Sequence, residues 1–319
     1  METRILGKDL KVSAIGLGCM GLSHANGAPT EENEAVRLLR EAVEDGYTFF
    51  DTAETYGYKE DPHHNEKLLG KAFHGMRDEL VIATKFGVWF DFSQDPDRPQ
   101  LFTDSRPETI RKSVDESLKR LNTDYIDLYY QHRVDPNVEP ETVAEVMSEL
   151  IKEGKIRHWG VSMASEDYIR RAHAVCPLTA SQNVYSLIAP DESLFKTFEE
   201  LNIGLVSCCP IAKGLLTGAY RKGEEFENGD FRKGSAWFSD ETMDKTQPLM
   251  DYLTRLGKEK SATLGQLSLA WMINKKPWIV PIPGTRKSSR LKENAGAGDI
   301  RLTAEEVAGI DKAIAEMNV

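Results

Sequence analysis

Apolar positions along the chain change their period repeatedly. Short runs rich in branched and aromatic residues alternate with stretches in which apolar residues recur at every third or fourth position. The extended runs cover residues 14–18, 47–52, 80–85, 125–132, 156–162, 178–184, 203–209 and 278–283, eight in all. The stretches between them carry helix-end signals. Thr30 is predicted to cap an acidic first turn that Gly46 stops. Ser105 with Glu108 reads as a capping box before Ile110, Val114, Leu118 and Leu121, and Thr303 with Glu306 as another before Val307, Ile310 and Ile314. Strands separated by helices must run parallel, and nearly continuous apolar strands are covered on both faces. The expected fold is therefore α/β, a closed (β/α)8 TIM barrel rather than an open doubly wound sheet.

Three departures from a minimal barrel are predicted. Residues 5–13, centred on Gly7-Lys8-Asp9, form a hairpin that plugs the barrel bottom. Long polar loops with scattered aromatics follow the third strand (86–104) and the seventh (213–246), and a further helix ends the chain. No linker or low-complexity stretch interrupts the pattern, so residues 1–319 read as one domain.

Composition narrows the partners. Lys and Arg total 40 against 51 Asp and Glu, a formal charge of -11 that opposes nucleic acid or an anionic membrane surface and favours a small-molecule ligand. The first residues lack an apolar core followed by a cleavage site, and no apolar run approaches the roughly 18 residues of a membrane span. The expectation is a soluble, cytoplasmic protein; nothing in the sequence speaks to its oligomeric state. Cys19, Cys176, Cys208 and Cys209 have no metal or disulfide spacing, and the last two read as small fillers at a strand end. His63 and His64, adjacent rather than at ligand spacing, read as a solvated helix start, so no metal is expected.

In a barrel of this kind, chemistry gathers at the C-terminal strand ends. Those ends supply Asp51 with Tyr56 just beyond it, Lys85, His132, Ser162, and Gln182 with Asn183. A lysine inside Ile82-Ala83-Thr84-Lys85-Phe86-Gly87 needs a carboxylate, and Asp51 on the neighbouring strand is the candidate, if only as a structural ion pair. Gly16, Gly18 and Gly21 match the dinucleotide fingerprint letter by letter. No helix opens at them, however, because the next one starts only after Thr30, and a Rossmann domain is rejected.

Asp51, Tyr56, Lys85 and His132 resemble, in type and order, the catalytic tetrad of the aldo-keto reductase superfamily. The resemblance extends through Asp51-Thr52-Ala53-Glu54-Thr55-Tyr56-Gly57, Tyr129-Tyr130-Gln131-His132-Arg133-Val134-Asp135, Gly160-Val161-Ser162, Gly214-Leu215-Leu216-Thr217-Gly218 and Pro281-Ile282-Pro283-Gly284-Thr285, nearly the whole chain. It implies NADP(H) lying across the barrel mouth. Ser162, Gln182 and Asn183 would hold the carboxamide and Tyr185 would stack on the nicotinamide. Pro210, Ile211, Lys213, Gly214 and Leu216 would line the nucleotide path. Near Gly284, the residues Thr285, Lys287, Ser288 and Arg290 flank a helix start suited to a 2′-phosphate, with Arg286, Glu293 and Asn294 nearer the adenine. Met163 and Val184 depart from the commoner pattern beside these contacts.

A hydride arriving at a carbonyl carbon leaves charge on oxygen that needs a donor and then a proton. Tyr56 fits that task, with Lys85 lowering a phenol pKa that is ordinarily about 10, Asp51 aiming Lys85, and His132 orienting the carbonyl. The expected activity is NADPH-dependent reduction of an aldehyde or ketone to an alcohol. A regulatory subunit, like the potassium-channel β subunits of the same superfamily, is the alternative; a barrel hydrolase lacks its metal ligands or paired carboxylates. Trp89 and Phe90 beyond Lys85, and Trp237-Phe238 in the later loop, are candidate walls of a pocket for flat or cyclic carbonyl compounds.

Overall fold

The computed structural model describes residues 1–91, 100–227 and 229–317. Its eight parallel strands are β3 (Leu17–Gly18), β4 (Phe49–Asp51), β5 (Val81–Phe86), β8 (Ile126–Gln131), β9 (Ile156–Ser162), β10 (Ala180–Val184), β11 (Gly204–Cys208) and β12 (Ile279–Pro281), each beside the next in that order. The sheet closes on itself: the backbone N–H groups of Gly16 and Gly18 donate to the carbonyls of Pro281 (3.0 Å) and Pro283 (3.3 Å). The predicted TIM barrel is the fold, and all eight expected strands are present, several of them shorter than the apolar run that announces them.

Strand alternation explains both layers of the core. Phe49, Ala83, Leu128, Tyr130, Ala180, Val206 and Val280 fill the interior, whereas Phe50, Ile82, Tyr129, Trp159, Val161 and Leu205 pack outward against the helices. The N-terminal hairpin, β1 (Thr3–Leu6) with antiparallel β2 (Leu10–Ser13), closes the bottom as expected. Its Leu6, Leu10 and Val12 are buried with the interior set, each worth about 1.5–3 kcal/mol. Leu6 reaches so far up that a Cβ at position 204 would lie 2.4 Å from its side chain, so only glycine fits there.

Around the barrel run α1 (Glu32–Glu44), α2 (His64–Ala72), α3 (Pro107–Leu121), α4 (Pro140–Lys152), α5 (Glu166–Val175), α6 (Phe195–Leu201), α7 (Asp240–Lys260), α8 (Leu264–Lys275), α9 (Ser288–Gly296) and α10 (Ala304–Glu316). The capping box of Thr303 and Glu306 forms as predicted. Two other caps do not. Glu31, not Thr30, caps α1 by accepting from the Glu34 N–H, and the Thr30 hydroxyl is buried without a partner among the described residues. Ser105 is drawn away by tertiary contacts: its N–H donates to Asp135 and its hydroxyl accepts from Gln131, leaving Pro107 to open α3 uncapped. The loop after β5 is not irregular either. It begins and ends as a hairpin, β6 (Val88–Asp91) paired with β7 (Gln100–Thr103), while residues 92–99 lie outside the described ones.

Candidate active site

The alternation that sorts the core also builds the site. Counting by two from inward Phe49, Ala83, Tyr130, Ala180 and Val206 brings Asp51, Lys85, His132, Gln182 and Cys208 to the upper rim of the interior. Lys85 is fully buried, and its three donors are all used: Nζ reaches Asp51 Oδ1 at 2.5 Å, the Thr52 carbonyl at 2.7 Å and Tyr56 Oη at 3.2 Å. Asp51 Oδ2 accepts from Gln182 Nε2 at 2.7 Å. His132 stands edge-on to the Tyr56 ring, centroids 5.6 Å apart, and its backbone N–H donates to the Phe86 carbonyl.

Electrostatics follow from this burial. Desolvation would discharge Lys85, but Asp51 and then Tyr56 outweigh it and hold the ammonium above its ordinary pKa. The Tyr56 phenol is pushed up by burial, and Lys85 only partly opposes that, so the ammonium does not bring it below the ordinary value as the sequence suggests. His132 is driven well below the usual imidazole range, by burial first and then by Lys85 and Arg133, so it is neutral near pH 7. Its buried Nδ1 has no hydrogen-bond partner among the described residues.

The other expected residues divide. Ser162 ends β9 and accepts from Arg133 Nη1 at 3.2 Å, and Asn183 accepts from the Ser181 hydroxyl. Gln182 is spent on Asp51. Tyr185 does not face the mouth: it is fully buried, stacked on Trp271 at 5.2 Å, with its hydroxyl donated to Glu192. Pro210, Ile211, Lys213, Gly214 and Leu216 follow β11 in a turn where Lys213 and Gly214 both adopt positive φ. Arg286 Nε donates to the Gly21 carbonyl across the closing edge, and its Nη2 is buried unpartnered among the described residues. At the start of α9, Ser288 donates to Glu41, Arg290 pairs with Glu293, and Thr285 accepts from the Lys287 N–H. Asn294 is buried on the same helix.

Trp89 is half-buried on β6, whereas Phe90, facing the opposite way, is 38% exposed. Phe238 packs with Tyr220 and Phe226 inside its own loop. His63 and His64 stand half-buried at the start of α2, where their Nδ1 atoms contact the Glu54 carbonyl (2.5 Å) and the Ser23 hydroxyl (2.9 Å). No group of three or more His, Cys, Asp or Glu suited to a metal occurs among the described residues.

Sequence reasoning missed His24. Its ring lies edge-on to Tyr56 at 5.4 Å, packs on Phe231 and bonds the Gly57 carbonyl. Both residues lie in loops following barrel strands, and that position was the available signal.

The sequence model of the Aldo/keto reductase family matches residues 14–315. The chain belongs to that family. An aldo-keto reductase, str7, of Strobilurus tenacellus is 37% identical, over 100% of this chain and 94% of its own. A probable aldo-keto reductase of Glycine max is 38% identical over 95% and 86%. Among solved structures, a glycerol dehydrogenase of Gluconobacter oxydans superposes with TM-score 0.88 at 26% identity, covering 99% of this chain and 96% of the other. An aldo/keto reductase of Klebsiella pneumoniae in complex with NADP and acetate gives 0.72 at 27%, over 98% and 95%. Family membership makes the protein an oxidoreductase that reduces small carbonyl compounds with a nicotinamide cofactor. No helix among the described residues is long and apolar enough to cross a membrane.

The residues present fit such a cofactor. The unpartnered Nη2 of Arg286, next to the basic start of α9, and the polar side chains of Ser162 and Asn183 at the C-terminal ends of β9 and β10 supply donors and acceptors of the kind such a cofactor needs.

Proposed function

We propose that the protein uses NADPH to reduce aldehydes and ketones, with Tyr56 as the general acid. The observation that carries this reading is the full use of the Lys85 donors. Because Tyr56 Oη accepts from Lys85, its own O–H points elsewhere and is free to donate. The bound cofactor would supply the hydride. Neutral His132 donates to the carbonyl oxygen and orients it, Tyr56 donates the second hydrogen bond and then its proton, and the Lys85 ammonium stabilises the phenolate left behind. Asp51, fixed by Gln182, keeps Lys85 charged and aimed. Burial that raises the phenol pKa also keeps it protonated before the transfer, so the charge of Lys85 acts mainly once the phenolate forms.

NADPH over NADH is supported by the cations at Lys287, Arg290 and Arg286. Arg37 adds another: its guanidinium lies 3.4 Å from the Ser288 hydroxyl. To hold a 2′-phosphate, Arg290 exchanges Glu293 for the ligand. The half-buried Trp89, with His24 beside Tyr56 and Phe231 beside His24, supports flat or cyclic carbonyl substrates over open-chain sugars.

The test is NADPH oxidation across a panel of aromatic aldehydes, quinones, cyclic ketones and free sugars, run with native protein and with Tyr56→Phe. The expected result is turnover of the apolar compounds and a fall in kcat of roughly 10²–10⁴ in the variant, with NADPH affinity nearly unchanged. Near-native turnover by Tyr56→Phe removes the acid assignment, and better turnover of sugars removes the apolar pocket.

A further inference from the structure

Val206 faces the barrel interior on β11, so strand alternation brings Cys208 inward and turns the next residue away. Cys209 breaks that rule. Its φ of 54° lies in the left-handed region, where a residue with a Cβ is held only by its surroundings, and the two adjacent thiols stand close enough to shift each other's proton affinity in opposite directions. Both cysteines are half-buried at the mouth, Cys208 within electrostatic reach of Asp51 and Lys85, Cys209 of Lys213 and Arg133. Cys19, whose N–H donates to the Asp51 carbonyl, and Cys176 after α5 are both buried from solvent. The strand-end filler reading of Cys208 and Cys209 accounts for their size but not for the left-handed turn at the second of them.

We propose that Cys208 and Cys209 form a two-sulfur binding site for trivalent arsenicals at the mouth of the barrel. The chemistry is redox-neutral. The Cys209 thiol, lowered to about 7 by the neighbouring Cys208 and then by Lys213 and Arg133, attacks as thiolate. One As–S bond forms while the arsenic-bound oxide takes a proton to become hydroxide. Cys208 then forms the second As–S bond, and the hydroxide leaves with the Cys208 proton as water. Arsenic remains trivalent, bridging the pair next to the Lys85 and Tyr56 contact. This site requires neither the acid role of Tyr56 nor a preference for NADPH.

The test uses the full chain and phenylarsine oxide, followed by intact-protein mass spectrometry. The expected result is one adduct, formed with loss of water, that withstands excess monothiol and is stripped by 2,3-dimercaptopropanol. Two sulfurs should slow release to monothiol by roughly 10²–10⁴-fold over Cys208→Ser or Cys209→Ser, through effective concentration. A Cys19→Ala/Cys176→Ala double variant should keep the resistant adduct. Unmutated protein gives a reading free of folding defects: the arsenical must shield Cys208 and Cys209 together from iodoacetamide in peptide maps. A resistant adduct that survives in either single serine variant overturns the proposal. So does an adduct lost to monothiol, or one formed only in urea.

Discussion

The two ends of one barrel are built from the same strands to opposite rules. At the bottom, Leu6, Leu10 and Val12 cap an apolar interior. At the mouth, two residues further along the same inward faces, stand a buried ammonium, a carboxylate and an imidazole, to which a loop adds a phenol. Left-handed backbone is gathered there too, though not exclusively: Ala25, Met163, Cys209, Ala212 and Lys213 follow the C-terminal ends of barrel strands, whereas Asn122, Asn202 and Ser261 end helices α3, α6 and α7. The lower half supplies the stability on which charged groups and strained turns are held at the upper half.

The strongest challenge to that division is Lys85→Met. Removing one partner leaves Asp51 charged and buried, so the variant should lose about 3–5 kcal/mol of stability in urea unfolding as well as its turnover. If only turnover falls, the pair is less buried in solution than the geometry indicates.

Leu6→Ala tests the other end. It should cost about 2–5 kcal/mol while leaving kcat of the folded fraction unchanged, since the plug touches no group of the tetrad. A matching loss of kcat would mean that the ends are mechanically coupled. Arg290→Ala should shift the NADPH over NADH preference by roughly one to two decades in nucleotide titration, with no change in melting temperature.

A gentler probe is Glu54→Gln. Burial, and then the charge of Glu66, raises the Glu54 carboxyl to about 8. The folded state therefore binds a proton that an unfolded carboxyl, at 4.5, has released, and stability must fall as pH rises from about 4.5 to 8. The glutamine should flatten that slope, an effect of up to a few kcal/mol read from unfolding midpoints at several pH values. An unchanged slope would place the titration elsewhere.

Most of the site was legible because strand alternation and the strand-end rule are local: once eight strands are counted, Asp51, Lys85 and His132 fall out as their last inward residues. What escaped was long-range. Nothing near Ser105 announces that Asp135 and Gln131 will claim it, nor near Tyr185 that Trp271 will. His24 meets Tyr56 only through the course of a loop. The hairpin of β6 and β7 did leave a local trace, since Val88-Trp89-Phe90 and Leu101-Phe102-Thr103 are strand-prone runs flanking a polar stretch. Cys209 left none, because its backbone angle is set by the turn that follows it.

The closing edge of the barrel has a consequence for how the chain is made. Its hydrogen bonds join β3 to β12, and the Arg286 bond to Gly21 spans 265 residues. Such contacts incur a large loop-closure cost and form late. During synthesis from the N-terminus, Asp51 and Lys85 emerge long before the strands that complete the ring around them. Until residues 281–283 leave the ribosome, that ion pair faces an open gutter of water. The nascent chain can therefore hold most of its strands and still lack a dry interior, so activity should appear only after residues 281–283 have emerged and closed the ring.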